Sequence, residues 1–108
     1  MNKEMIVTTT NEVPGKKVVK ILGLVRGNTV RSRNLGQDIG AALKSLIGGE
    51  IIAYSEMTTQ AREEALNRMI NAAIDLGADA IIGVKFTTSM VMTAASEMLA
   101  YGTAVKLK

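Results

Sequence analysis

The sequence predicts one α+β domain, a mostly antiparallel sheet packed on a long helix, with elements in the order β-β-α-α-β-β. Three observations carry that expectation. Segments rich in β-branched residues and bounded by turn signals occupy both ends of the chain, and apolar residues recur at helical spacing in the middle. No linker, low-complexity stretch or shift in composition divides the 108 residues, a length that suits one domain with one core.

The first strand is expected at Met5 to Thr10, ended by Pro14-Gly15 in "NEVPGKK". A second follows at about Lys17 to Val25, so the two form a predicted β-hairpin. Both faces of that second strand are apolar, with Val19, Ile21 and Val25 on one and Val18, Leu22 and Leu24 on the other. Such a strand reads as covered on both sides. The polar "RGNTVRSR" from Arg26 to Arg33, with Gly27-Asn28 inside it, then reads as a turn region.

Leu35, Ile39, Leu43, Leu46 and Ile47 predict a first helix, with Asn34 as its N-cap and Gly48-Gly49 as its stop. A longer helix is predicted at about Thr58 to Leu76. Ala61, Ala65, Leu66, Met69, Ala72, Ala73 and Leu76 make its apolar stripe, Glu64 precedes Arg68 by one turn, and Gly77 ends it. "GADAIIG" runs from helix to strand, the reverse of a phosphate-cradling loop, and is a turn.

Ala80 to Thr93 predicts a strand in which Ile82, Val84, Phe86, Met90 and Met92 alternate with smaller or polar residues. Its antiparallel partner is expected at about Glu97 to Leu107. There Ala100, Gly102 and Ala104 form a flat face suited to a packed helix. Leu99, Tyr101, Val105 and Leu107 form a bulky face turned outward, where an apolar patch indicates a partner.

Composition narrows the chemistry. The chain has no cysteine and no histidine, which removes disulfides, thiol catalysis and the commonest general base and metal ligand. A net charge of +3 with interspersed signs suits solubility better than nucleic-acid binding. No stretch approaches the roughly 18 apolar residues of a membrane span, so the expectation is a cytoplasmic protein without membrane partners.

Two near-identical phrases, "EIIAYS" from Glu50 and "EMLAYG" from Glu97, each place a glutamate four residues before a tyrosine, Tyr54 and Tyr101. A carboxylate beside a phenol suits general acid/base work or oxygen ligation. Read as packing units, the same residues place each tyrosine at a contact and pair each glutamate with an arginine. Met90, Met92 and Met98 gather near the last turn, where thioethers fill gaps or hold a soft ion. Arg26, Arg31 and Arg33 offer an anion or nucleic-acid backbone contact, although no aromatic residue among them stacks a base. Arg62, Glu63, Glu64 and Arg68 read as a charged helix face.

"GGEIIAYSEM", "AREEALNRMINAAIDLGADAIIGVKFTTS" and "EMLAYGTAV", in order and at compatible spacing, resemble the YbjQ-like family of small prokaryotic proteins described as "putative heavy-metal-binding" domains. The resemblance implies one YbjQ-like domain over residues 1–108, a dodecin-subunit-like fold and assembly into a homopentamer, and it implies no reaction. Soft metals favour thiolate, thioether and imidazole, and this chain offers thioethers and carboxylates alone. Glu50, Glu97 and Met92 are then the metal candidates, with Glu50, Tyr54, Arg62, Glu97, Leu99 and Tyr101 as interface or ligand residues. The leading expectation is a non-enzymatic homo-oligomer holding a metal ion or another small ligand between subunits. The alternatives are an enzyme using Glu97, Tyr101 and an arginine from a neighbour, and an anion or nucleic-acid module using Arg26, Arg31 and Arg33.

Overall fold

Pairing between the two ends of the chain builds the sheet. The structure, a computed structural model, describes residues 4–32, 49–92 and 95–108, with side chains described for 4–30, 58–90 and 95–108. Its elements are β1 (Ile6–Val7), β2 (Val18–Ser32), α1 (Gly49–Asp75), β3 (Ala80–Met92) and β4 (Ala95–Leu107). They form an α+β fold with a four-stranded mixed sheet in the order β1-β3-β4-β2. The first predicted helix lies outside the described residues.

β4 is central, antiparallel to β2 from Val18↔Leu107 to Ser32↔Ala95 and antiparallel to β3 from Ala80↔Val105 to Met92↔Ala95. β1 lies parallel to β3, with Ile6 opposite Ala80 and Val7 opposite Ile81. The chain after β1 continues along the same edge: Thr8 N–H donates to Ile81 O at 3.0 Å, and Gly83 N–H donates to Thr10 O at 2.8 Å. The expected hairpin of the first two strands is therefore not formed. The turn at Pro14-Gly15 exists, with Lys16 N–H on Val13 O at 3.1 Å, but it delivers Lys17 to Lys108, which exchange both backbone bonds. A ladder running the length of β4 satisfies far more backbone groups than a short local hairpin.

β2 also runs through the expected turn "RGNTVRSR". Arg26 to Ser32 pair with Tyr101 back to Ala95, because β4 supplies a continuous template and the segment contains no proline to interrupt it. The sheet faces are set by alternation here: Val25, Gly27 and Thr29 are buried, and Leu24, Arg26, Asn28 and Val30 are exposed. β2 is thus covered on one face, where the sequence predicted two.

α1 begins nine residues before the expected start at Thr58, at Gly49. "EIIAYS" is consequently helix while "EMLAYG" is strand. The two phrases therefore adopt different backbone structures, with different side-chain periods. The helix ends in a Schellman arrangement, with Ala78 N–H on Ala73 O at 3.1 Å and Gly77 N–H on Ile74 O at 2.9 Å. Gly77 takes the φ of 77° that this motif requires.

α1 packs chiefly on β2, less on β4 and least on β3. Ala61, Ala65, Met69 and Ala73 are buried against Val25, Met98, Ala100 and Ala104, while Leu66 is partly buried and Leu76 is exposed. The flat face of β4 therefore meets the helix as its small residues predicted. Val105, expected on the outward face, is fully buried beside Ala104, so this end of β4 has no free face. Closest approach comes at Gly27, where a Cβ would stand 2.3 Å from Ala65 O and 2.4 Å from Met69 N. No side chain fits between that strand and the helix backbone.

Asp79, almost fully buried, joins the helix end to the C-terminal strand. Its Oδ2 accepts from Leu107 N–H at 2.8 Å, and its Oδ1 faces Lys106 Nζ at 3.4 Å. Asp79→Ala leaves the Leu107 donor without this acceptor and should cost about 1–3 kcal/mol. The expected result is a lower urea midpoint with an unchanged slope; an unchanged midpoint would show that the tie contributes nothing.

The molecule is elongated. Its radius of gyration is 17.4 Å and it measures 55 × 27 × 23 Å, against roughly 13 Å for the radius of gyration of a compact domain of this length.

Candidate functional site

Because α1 lies over the β2 side of the sheet, the helix-side surface of β3 is left open. Phe86, Thr88 and Met90 share that surface, since they pair with Ala100, Met98 and Ser96 and two of those partners are buried under the helix layer. Phe86 and Met90 are exposed. Between this shelf and α1 lies a cleft of about 360 Å³ lined by Thr58, Arg62, Thr88, Ser89, Met90, Ser96, Glu97 and Met98. It combines four hydroxyls, one guanidinium, one carboxylate and two thioethers. Such a lining can hold a small polar molecule against a partly apolar floor. Arg62 Nη2 faces Thr59 Oγ1 at 3.4 Å, a long contact that leaves most of its donor fork for the cleft.

Among the described residues no helix covers the opposite sheet face. Cross-strand register builds rows on it: Val30, Glu97 and Ser89; Asn28, Leu99 and Thr87; Arg26, Tyr101 and Lys85. Glu97 borders the cleft, but its carboxylate accepts from Asn28 Nδ2 at 3.4 Å. Asn28 in turn gives its backbone carbonyl to Arg68 of α1, which also pairs with Glu64 one turn earlier. This charged helix surface thus ties α1 to the edge strand.

Among the residues singled out from sequence, Arg62 and Glu97 both line the cleft, and Leu99 and Tyr101 sit half-buried on the sheet face opposite α1. Glu50 and Tyr54 lie in the first turns of α1, with side chains outside the described set, as is that of Met92 in β3. Glu97 and Tyr101 share a face, but four residues of strand rise separate them by about 13 Å, beyond direct proton transfer. The three arginines do not form one described cluster: Arg26 and Arg31 lie on β2 and Arg33 is outside the described residues. Sequence reasoning missed Lys85 and Asn28. Alternation put Lys85 on a polar face, and only the register shows that Tyr101 is its neighbour.

Known proteins share both this sequence pattern and this chain path. Residues 5–108 match the YbjQ family, described as "Putative heavy-metal-binding". The chain belongs to the YbjQ family. The UPF0145 protein of Methanoculleus marisnigri is 63% identical over 103 residues, covering 95% of this chain and 96% of that one. The UPF0145 protein of Archaeoglobus fulgidus is 58% identical over 108 residues, the whole of both chains. A crystal structure of a protein of unknown function of the DUF74 family, from Pediococcus pentosaceus, superposes with a TM-score of 0.69 at 21% identity, covering 96% of this chain and 98% of that one. That likeness shows a shared fold.

The metal description of the YbjQ family can be tested against these side chains. No three Asp or Glu residues converge among the described residues, and the chain has neither His nor Cys. The cleft's thioethers are split between buried Met98 and exposed Met90, and the carboxylate of Glu97 is engaged by Asn28. Borderline and hard heavy-metal ions need imidazole, thiolate or several carboxylates. The described donor set of one YbjQ subunit does not fit such an ion. Among the described residues no helix is long and apolar enough to cross a membrane.

Proposed function

We propose that this YbjQ-family protein is a homo-oligomeric binding protein, dodecin-subunit-like in its chain path and pentameric as the family resemblance implies, which holds a small organic ligand in the cleft beside Arg62. One observation carries the reading: two different apolar surfaces are bare at opposite edges of the sheet. On β2 they are Val19, Ile21, Leu24 and Val30; on the β3 side they are Phe86 and Met90. Among the described residues β2 also has no strand paired to its outer edge, and β3 has none beyond the segment covered by the N-terminal chain. Exposed apolar edge strands are rare in isolated domains and invite strand pairing. Two unlike surfaces at opposite edges favour head-to-tail contact, and a head-to-tail contact that closes makes a ring.

Such a contact would also complete the cleft. Met90 belongs both to the shelf and to the lining, so a neighbour packed on Phe86 and Met90 covers the open side of the ligand site. The ligand is then held between subunits, with Arg62 as its orienting cation and Thr88 and Ser96 as hydrogen-bond partners.

Native mass spectrometry tests both parts, because one spectrum reports subunit number and bound mass. A five-subunit ring carrying a small organic adduct is the expected result for the unmodified protein. Val19→Lys with Ile21→Lys, at exposed positions that leave the core intact, should shift the ring to monomers while keeping the circular dichroism spectrum. A monodisperse monomer of the unmodified protein at micromolar concentration would remove the reading.

A further inference from the structure

The sheet face opposite α1 contains a second arrangement of chemistry-bearing groups. Tyr101 sits on the central strand with Arg26 directly opposite on β2 and Lys85 directly opposite on β3. Ladder partners point to the same side of a sheet. That side is away from α1, because the neighbours of Tyr101 along β4, Ala100 and Gly102, are buried while Tyr101 is half-exposed and Arg26 and Lys85 are exposed. A phenol is thus flanked on both sides by cations, across a span of about 10 Å from strand to strand. Two long, flexible basic side chains can close over that distance.

Neither cation is neutralised within the described residues. The described ion pairs are Arg68 with Glu64 and Lys106 with Asp79, and no carboxylate shares the row. On this face Glu97 stands two rows away, about 13 Å along the strand, and is bonded to Asn28. The adjoining residues of the row above, Asn28, Leu99 and Thr87, add an amide and a hydroxyl but no charge.

We infer that Arg26, Tyr101 and Lys85 form a binding site for a small oxyanion, a phosphate or carboxylate group of a soluble molecule, on the sheet face opposite the cleft. Arg26 supplies a planar fork matched to two oxygens, Lys85 supplies a point charge from the other side, and the Tyr101 hydroxyl donates from beneath. The paired strands fix the spacing of the three groups. The site is distinct from the cleft, which uses Arg62 on the other side of the sheet.

The test titrates the unmodified protein with inorganic phosphate, phenyl phosphate and glutarate while following backbone amide shifts. Saturable shifts centred on residues 26, 85 and 101 are expected, weakening with added salt. Phosphate binding without glutarate binding assigns a phosphate group; binding of both assigns a general oxyanion site. Arg26→Gln and Lys85→Gln should each weaken binding by roughly 10- to 100-fold, the loss of one charge-assisted contact, and Tyr101→Phe by less. Lys16→Gln, in the exposed turn, should leave binding unchanged. Should Arg26→Gln disturb the edge strand, Lys85→Gln at its exposed position still decides. Absence of saturable shifts with all three probes, or equal affinity of Lys85→Gln and the unmodified protein, overturns the inference. Subunit counts by native mass spectrometry on the same samples keep this outcome separate from the fate of the ring.

Discussion

Gly27→Val should yield no folded protein. At Gly27 the strand touches the helix backbone itself, and a β-carbon added there would meet Ala65 O, Met69 N and Arg68 Cβ, all closer than van der Waals contact allows. Side chains relax by changing rotamer, but a carbonyl and an amide inside α1 cannot move without shifting the whole helix. That shift would open the layer where Ala61, Ala65, Met69 and Ala73 meet Val25, Met98 and Ala100. Even Gly27→Ala should cost about 3 kcal/mol, at the upper end for overpacking, against a total stability of about 5–15 kcal/mol for a domain. Circular dichroism with urea titration reads both variants. A Gly27→Val protein with the unmodified spectrum and midpoint would mean that α1 does not lie on β2 as described.

The second large effect is expected from Ala73→Arg. Ala73 is fully buried, and its carbonyl anchors the helix end through Ala78 N–H at 3.1 Å. An arginine there places a charge and a long side chain in a space filled by one methyl group, next to Ile81 and Ala104 in the same core cluster. Burying an unpaired charge costs several kcal/mol, enough to exhaust the stability of a small domain. Insoluble or unfolded product is the expected outcome. Ala72→Arg, one position away and only partly buried, should be tolerated better and separates burial from a general loss of helix propensity. Equal stability of the two variants would contradict the face of α1 that meets the sheet.

Both expectations rest on the helix stripe, which the spacing of its apolar residues makes legible. Ala65, Met69 and Ala73 recur at helical spacing and are all fully buried. The candidate site was legible only in fragments. Arg62 was visible in a charged helix face and Glu97 in a glutamate–tyrosine phrase, but nothing in their spacing says that a cleft lies between helix and hairpin. Their sequence separation is bridged by a strand pairing whose register is a property of the whole sheet.

The α+β class, the small-residue face of β4 at Ala100, Gly102 and Ala104, the glycine stop at Gly77, and a chemistry without histidine or cysteine are all written directly in the chain. These are local properties: side-chain period, backbone freedom and composition act within a few residues of each other. Which strands become neighbours was settled in three dimensions, sending β1 to β3 and β2 to β4 where adjacency in sequence suggested a hairpin. Packing also made "EIIAYS" helix and "EMLAYG" strand, and it set Arg26 and Lys85 on either side of Tyr101. Period tells a residue which face it occupies but not which residue it will meet. The meeting is chosen by the longest ladder that satisfies the backbone while burying one face, a choice made by the chain as a whole.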